Sequence, residues 1–189
     1  MRRIIVGISG ASGPHYGIRL LEVLKEFKNV ETHLIISETA KINIKLESNR
    51  EVEQVEALAD FVYDSKDLAA SISSGSFRTE GMVIAPCSVK TLSGLANSFS
   101  TNLLIRAGDV ILKEKRKLII MFRETPLHLG HLRLMTRVAE MGATIMPPVP
   151  AFYYRPNTVN DIINHIIGKV LDQFGLDYQL FKRWKGQLD

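Results

Sequence analysis

Short β-branched runs alternate with amphipathic segments along the chain, and this alternation restricts the fold more than any other feature. The first run, Ile4–Ile8, shows no alternation of apolar and polar residues, which is typical of a strand buried on both faces. Similar runs at 32–36, 81–86 and 118–122 are each followed by a segment of helical period. Strands that alternate with helices predict a mainly parallel sheet with helices on both faces. We therefore expect a doubly wound α/β fold.

The segments between the runs define the other elements. We predict helices over 16–27, 38–46, 90–97, 103–113, 129–141 and 159–174, and a short strand over 143–146. Thr158 precedes the last helix and Asp161 follows three residues later, a spacing typical of a capping box. No repeat, low-complexity block or Pro/Ser-rich linker interrupts the pattern, so we expect a single domain over residues 1–189.

Composition excludes several classes of protein. The 189 residues are 46% hydrophobic and 23% charged, which is typical of a globular chain and excludes a disordered or collagen-like one. Cys87 is the only cysteine, so the chain forms neither an internal disulfide nor a Cys-rich metal site. No apolar stretch reaches the roughly 18 residues that cross a bilayer. We therefore expect a cytoplasmic protein with no membrane contact.

The positive charge is concentrated in one stretch. The formal net charge is +4, and residues 101–140 hold eight basic and four acidic side chains, which accounts for the whole excess. A local excess of this kind favours an anion site or a basic face over general attraction to nucleic acid. The stretch also includes a predicted buried strand and lacks interleaved aromatic residues, so we expect no nucleic-acid partner.

Ligands of doubly wound sheets bind beyond the carboxyl ends of the strands, so the loops there are the candidate sites. The first loop, Gly7–Gly13, offers backbone N–H groups and the Ser9 and Ser12 hydroxyls to a phosphate. Its spacing, G-x-x-G-x-x-G, differs from the G-x-G-x-x-G of dinucleotide folds, and a tight strand–helix turn is the alternative. The second strand ends at Ser37, where NAD-binding folds usually carry an acid, so a mononucleotide is favoured.

The third and fourth loops carry further polar groups. Ser88 and Thr91 follow the third predicted strand and either cap the next helix or bind a ligand. Cys87 is either a nucleophile or a small core residue, and no histidine lies near it in sequence to activate it. Arg123 ends the fourth predicted strand and either forks onto a phosphate or pairs with Glu124.

Five more residues complete the set with candidate chemistry. Lys113 ends a predicted helix, where a cation also complements the helix dipole. The Pro- and aromatic-rich segment around Tyr153 either walls an apolar pocket, with the hydroxyl facing an anion, or is a packed crossover. Lys169 either reaches an anion or extends to solvent. His128 and His131 are spaced as a metal pair, but no third ligand lies near, so we expect no metal site.

Several motifs resemble those of one known family along nearly the whole chain. They are, in order, VGISGASG, SSGSF, PCSVKTLSG, RAGDVILKE, RETPLHLGHL, PPVPAFYYRP and VLDQFGL. RETPL and PxPAFY are far more specific than any glycine loop. The chain resembles the flavin prenyltransferases, the UbiX-like enzymes that join the dimethylallyl group of dimethylallyl monophosphate to N5 and C6 of reduced FMN. The resemblance implies a Rossmann-like or flavodoxin-like flavoprotein that makes prenylated FMN without a metal.

The resemblance also implies roles for particular residues. It places FMN against Gly10, Ala11, Ser12, Ser37, Ser88, Val89, Lys90, Thr91 and Arg123. It places the phosphate of the second substrate against Lys113, Arg123, Tyr153 and Lys169. It implies catalytic roles for Ser12, Glu47, Lys113, Arg123, Glu124 and Trp184. The C-terminal tail, about 175–189, is expected to contact the site or a neighbouring subunit.

Partners and departures from the family pattern follow from the same resemblance. Family members assemble as dodecamers with sites at subunit interfaces, so we expect a homo-oligomer. The expected recipient of the product is a UbiD-type decarboxylase, in ubiquinone biosynthesis or in aromatic-acid decarboxylation. The chain departs from the family at Pro14-His15, at Gly108, where alanine is expected, and at Lys169, where an arginine is common. A lysine keeps the charge but loses the planar fork.

Two other functions remain open on the sequence. An FMN-dependent decarboxylase of the cysteine-decarboxylase group shares the fold, but this chain has no Met-Asn dipeptide of the kind found in that group's substrate motif. A non-catalytic flavin carrier needs no second anion site, so the expected phosphate cluster argues against it.

Overall fold

The computed structural model describes residues 1–184 and 186. The chain divides into two compact units, Met1–Pro147 and Pro148–Asp189. Residues 185 and 187–189, which belong to the predicted C-terminal tail, lie outside the described residues. No helix among the described residues is long and apolar enough to cross a membrane.

The first unit contains one parallel sheet. Its strands are β1 Arg2–Ile8, β2 Val30–Ile36, β3 Phe61–Tyr63, β4 Gly81–Cys87, β5 Lys117–Phe122 and β6 Thr144–Ile145. Its helices are α1 His15–Leu24, α2 Glu38–Glu47, α3 Val52–Glu56, α4 Val89–Ala96, α5 Leu103–Lys113 and α6 Leu129–Glu140, with a 3₁₀ turn at Ser71–Ser73. Within the described residues the strand order is β3-β2-β1-β4-β5-β6, and every pairing is parallel. The predicted doubly wound α/β fold is confirmed.

Helices cover both faces of the sheet, as the uninterrupted apolar runs predict. Successive residues of a strand face opposite sides. Gly7 of β1 lies against Leu104 of α5, and the next residue, Ile8, lies against Gly17 of α1. Every residue of β4 is buried, because this central strand is covered on both sides.

The sequence prediction missed two short elements, α3 and β3. The three residues of β3 are exposed or half-buried, because the strand lies at the edge of the sheet and pairs only with β2. Such a strand has neither the buried run nor the strict alternation on which the prediction depends. Most of the other elements differ from the prediction by one to three residues at an end, and α5 has the predicted bounds.

The strand order reverses between β1 and β4. From β1 the chain builds the sheet outward through β2 to β3, and it then returns to the other side of β1 and continues through β4 and β5 to β6. The loops that follow β1 and β4 diverge from each other, and they leave a crevice beyond the carboxyl ends of these two strands.

The second unit consists of one long helix and the segments that flank it. The helix α7, Val159–Phe174, has the predicted bounds. Its predicted capping box is confirmed, because the Asp161 amide donates to the Thr158 hydroxyl and the Thr158 amide donates to the Asp161 carboxylate. The following tail packs back on α7, where Arg183 donates two hydrogen bonds, of 2.6 and 3.0 Å, to the Asp172 carboxylate.

The close packing of α1 on the sheet generates the first prediction. A β-carbon on Gly17 would lie 2.3 Å from the backbone oxygen of Ala85, an atom that cannot move without disturbing β4. We expect Gly17→Ala to destabilise the protein by about 2 kcal/mol, although alanine is the better helix former, because overpacking outweighs helix propensity. Urea unfolding measures the change, with His15→Ala on the exposed end of the same helix as the control. Equal midpoints for the two variants would contradict the prediction.

Candidate active site

A cavity of about 640 Å³ opens at the carboxyl edge of the sheet in the first unit. Its lining includes all nine residues that the sequence resemblance assigns to FMN: Gly10, Ala11, Ser12, Ser37, Ser88, Val89, Lys90, Thr91 and Arg123. The volume lies within the usual range for a small-molecule site. The structure therefore brings the proposed cofactor residues of four separate loops into one site.

A buried hydroxyl holds the first and third loops together. Ser9 is 1% exposed, and its Oγ donates to the Pro86 carbonyl at 2.9 Å and accepts from the Ser88 amide at 2.8 Å. The backbone of the first loop also packs closely on α2, because a β-carbon on Gly10 would lie 2.5 Å from the side chain of Thr39. Gly10 is therefore required by this close approach.

Three helices begin at the cavity, and the side chain before each caps it. Ser37 accepts from the Ala40 amide at 3.2 Å, Ser88 accepts from the Thr91 amide at 3.3 Å, and Asn102 accepts from the Ile105 amide at 2.9 Å. The predicted capping role of Ser88 is confirmed. Each helix start carries free N–H groups and the positive end of the helix dipole. Three such ends favour an anion in the cavity.

The carboxylate of Glu47, at the end of α2, contacts the first loop. Its Oε2 accepts from the Ser12 hydroxyl at 2.9 Å and from the Gly13 amide at 2.7 Å. Asn43, one turn earlier, donates to the Ala11 carbonyl at 3.0 Å. The structure therefore places two proposed catalytic side chains in direct contact, and the pair can pass a proton from a hydroxyl to a carboxylate.

Arg123 lies half-buried at the end of β5 and has no anionic partner. Its backbone amide donates to the Cys87 carbonyl, but its guanidinium makes no hydrogen bond or ion pair within the part of the chain that the structure describes. Arg123 does not pair with Glu124, which was the alternative left open by the sequence. The Glu124 carboxylate accepts a hydrogen bond from the Thr125 amide. Burial raises the pKa of Tyr16, and the nearby charge of Arg123 offsets part of the rise. The guanidinium is therefore free to bind an anion.

Lys113 does not lie at the cavity of its own chain. Asn102, which caps the start of α5, lines the cavity, and Lys113 is the last residue of the same helix. Because eleven helical residues span about 16 Å, Lys113 lies about that distance along the helix from the cavity. Its ammonium pairs with the Glu114 carboxylate at 2.5 Å, and this hydrogen bond holds the pKa of Glu114 below its usual range. The helix runs antiparallel to the strands, so it begins at the carboxyl edge of the sheet and ends at the other.

The remaining proposed residues lie in the second unit. The exposed ring of Trp184 packs edge-on against Tyr153, with centroids 5.7 Å apart. Lys169 lies on α7 and pairs with Asp172 at 3.7 Å. The tail residue Trp184 and the aromatic segment before α7 are therefore in contact within this unit, as parts of one aromatic cluster.

The sequence prediction did not identify six of the residues that line the cavity. They are Glu38, Thr39, Ser65, Lys66, Thr101 and Asn102. Ser65 and Lys66 follow β3, which was not predicted, so their loop was not searched. Asn102 carries a usable signal, because asparagine directly before a helical pattern is typical of an N-cap.

Two alternative sites from the sequence have structural roles. Cys87 is fully buried, and burial raises the pKa of its thiol, so it is a core residue rather than a nucleophile. The His128 side chain caps α6 by accepting from the Gly130 amide, and its ring stacks on His131 at 3.6 Å. Among the described residues, no group of three or more candidate ligands is arranged to hold a metal ion.

Comparisons with known proteins identify the family. The model of the family described as Flavoprotein matches residues 1–171. The flavin prenyltransferase UbiX of Escherichia coli K12 is 58% identical over 188 residues, which cover 98% of this chain and 100% of that protein. The chain belongs to the UbiX-type flavin prenyltransferases. The resemblance noted in the sequence is therefore confirmed.

Solved structures of UbiX-type proteins have the same fold. AnUbiX (PadA1), in complex with FMN and dimethylallyl pyrophosphate, is 46% identical with a TM-score of 0.97, and the match covers 99% of each chain. A dodecameric FMN-dependent UbiX-like decarboxylase from Escherichia coli O157:H7 is 49% identical with a TM-score of 0.96, covering 97% of this chain and 100% of that one.

The burial of Cys87 gives a direct test of the core around the cavity. We expect the native protein to react with a thiol reagent such as DTNB at least about 100-fold more slowly than the urea-unfolded chain, because only an exposed thiolate reacts. As the chain has one cysteine, the absorbance change reports this residue alone. Rapid reaction of the native protein would show that β4 is accessible at this point.

Proposed function

We propose that the protein joins the dimethylallyl group of dimethylallyl monophosphate to N5 and C6 of reduced FMN, giving prenylated FMN. The observation that carries the proposal is the cavity at the β1/β4 crevice, where nine proposed FMN residues and three helix starts converge. A flavin mononucleotide has a phosphate for the helix starts and a ring system for the rest of a cavity of this size.

The flavin supplies the nucleophilic nitrogen and the ring carbon, and the chain supplies charge and proton acceptors. As the carbon–oxygen bond of the dimethylallyl ester breaks, the leaving phosphate takes the electron pair and gains negative charge. The unpaired guanidinium of Arg123 stabilises this charge, together with Lys113, Tyr153 and Lys169. Cations in this role replace the Asp-bound magnesium of terpenoid enzymes that ionise diphosphates.

Alkylation of N5 releases the N5 proton. Ring closure then adds a proton to the dimethylallyl double bond and releases one from C6, so the chain must accept a proton from the flavin and return one to the alkene carbon. The Glu47 carboxylate holds the Ser12 hydroxyl at 2.9 Å, so the pair offers a route for these proton transfers. Glu124, which also lines the cavity, is a second acceptor. Trp184 and its aromatic neighbours shield the reacting carbon from water in this proposal.

The proposal includes an oligomer in which Lys113 acts on the cavity of a neighbouring chain. Lys113 lies at the far end of α5 from the cavity of its own chain, and a UbiX-like relative that is 49% identical to this chain is dodecameric; both observations support the oligomer. Of the twelve residues of α6, Val138 alone is buried, while Leu129 and Leu132 are 58% and 45% exposed. These exposed apolar side chains are available to pack against a neighbouring subunit in the proposed oligomer. The oligomer is cytoplasmic in this proposal, and it passes its product to a UbiD-type decarboxylase.

The reaction is tested by the mass of the flavin. We expect the protein, incubated with reduced FMN and dimethylallyl monophosphate without oxygen, to release a flavin that is heavier by one C₅H₈ unit. A parallel reaction with dimethylallyl pyrophosphate, the ester bound by AnUbiX, shows which phosphate the site prefers. An unchanged flavin mass with both esters would contradict the proposal and favour a flavin carrier.

The guanidinium of Arg123 is tested by removing it. We expect Arg123→Ala to lower kcat/KM at least about 100-fold, because it removes a donor from the charge that develops on the phosphate. The exposed Lys28 provides a matched control, since Lys28→Ala removes one positive charge elsewhere on the first unit. If both variants keep normal activity, the phosphate is bound elsewhere.

Mixed oligomers test whether the Lys113 and Arg123 of one site come from different chains. Lys113→Ala and Arg123→Ala chains are each expected to be inactive, but oligomers assembled from both chains contain some sites with both residues intact. For random assembly of equal amounts, about a quarter of the wild-type activity should return if the two residues come from different chains. No recovery in mixed oligomers would place both residues on one chain and overturn the intersubunit role.

A further inference from the structure

A buried histidine in the second unit contacts a side chain proposed to bind phosphate. His165 lies on α7 and is 7% exposed, and its Nε2 is 2.9 Å from the Tyr153 hydroxyl oxygen. Its ring lies parallel to that of Tyr154, with centroids 4.8 Å apart, and edge-on to Phe181 at 4.5 Å. These contacts fix the imidazole, so they also fix the position of Nε2.

The surroundings of His165 determine its charge. Burial lowers the pKa of the imidazole, the positive charge of Lys169 lowers it further, and Asp172 acts in the opposite direction. The ring is therefore neutral at neutral pH and carries one N–H. Its Nδ1 is buried and has no hydrogen-bond partner in the described part of the chain, so Nε2 is the nitrogen that makes the ring's hydrogen bond.

We propose that the Nε2–H of His165 donates to the Tyr153 oxygen and so directs the tyrosine proton to the phosphate of the dimethylallyl ester. This inference rests on the proposed function. In the opposite tautomer, Nε2 would accept the tyrosine proton, and the hydroxyl would have no donor left for an anion. Because an ionised phosphate oxygen only accepts hydrogen bonds, only the first tautomer lets Tyr153 bind it.

His165 is thus a positioning residue, which acts through Tyr153. The tyrosine ring packs edge-on against both His165 and Trp184, with centroids 5.6 and 5.7 Å apart. A hydroxyl with one hydrogen-bonding direction already occupied by a donor keeps its own proton in a narrow range of orientations. The phosphate therefore meets an oriented donor and does not have to reorganise the site.

Two nearly isosteric substitutions separate the donor from the shape of the side chain. His165→Gln keeps an N–H group near the position of Nε2, whereas His165→Met fills similar space without a donor. We expect His165→Met to raise KM for dimethylallyl monophosphate about three- to tenfold, the effect of one hydrogen bond, and to lower kcat as well, because the same hydrogen bond stabilises the leaving phosphate, while FMN affinity changes less than twofold. His165→Gln, which keeps the donor, should have a KM close to that of the wild-type chain.

A double-mutant cycle with Tyr153→Phe tests whether His165 acts through the hydroxyl. Because Tyr153→Phe already removes the acceptor, adding His165→Met should raise KM no further. If His165→Met does not fold, as judged by its melting temperature, His165→Phe replaces it as the variant without a donor.

The outcomes separate this inference from the proposed function. If the wild-type chain gives no prenylated flavin, the proposed function fails and this inference fails with it. If the wild-type chain is active and the variant without a donor has an unchanged KM, this inference alone is overturned. Multiplicative effects of the two substitutions in the cycle would also overturn it, because His165 would then act independently of Tyr153.

Discussion

Parallel strands all end at the same edge of the sheet, and this constraint determines where the chemistry of the first unit lies. The carboxyl ends of β1, β2, β4 and β5 meet at that edge, and each is followed by a polar loop. The reversal of strand order between β1 and β4 opens the crevice that these loops surround. The Ser9 hydroxyl then joins two of the loops by hydrogen bonds at the base of the crevice. The cavity is therefore a consequence of the topology.

The same topology separates the positive charges of the protein. Helix starts face the cavity because helices that return antiparallel to the strands begin at the carboxyl edge of the sheet and end at the opposite edge. The cavity accordingly has three helix starts and Arg123, while Lys113 lies at the far end of α5. In the proposed function, a site that uses both cations takes them from two chains. Two basic residues of the stretch 101–140, Lys113 and Arg123, thus lie at different places within one chain.

The sequence predicted the fold and most of the cavity, because both depend on buried strands that carry a strong local signal. Ser37, Ser88 and Arg123 each follow such a strand, so their place at the crevice could be inferred from the pattern. Lys66 was missed because β3 is short and exposed. The contact between Ser12 and Glu47 was not predictable from periodicity, since it joins loop and helix end across 35 residues.

The contact between Tyr153 and His165 illustrates the same limit in the second unit. His165 occupies one position in a helical pattern of apolar residues, and nothing in the spacing indicates which ring it will meet. Its partner lies on an irregular segment, whose backbone has no period from which a direction can be derived. Such a contact can be identified only from the three-dimensional structure. In the proposed role of His165, it is also the contact that orients the tyrosine proton.

The central claim is that the helix starts at the β1/β4 crevice bind the phosphate of a flavin mononucleotide. Titration of the protein with FMN and with riboflavin, which lacks the phosphate, tests this claim most directly. We expect FMN to bind at least about 100-fold more tightly, because the phosphate gains several charge-assisted hydrogen bonds. Equal affinity for the two flavins would contradict the account.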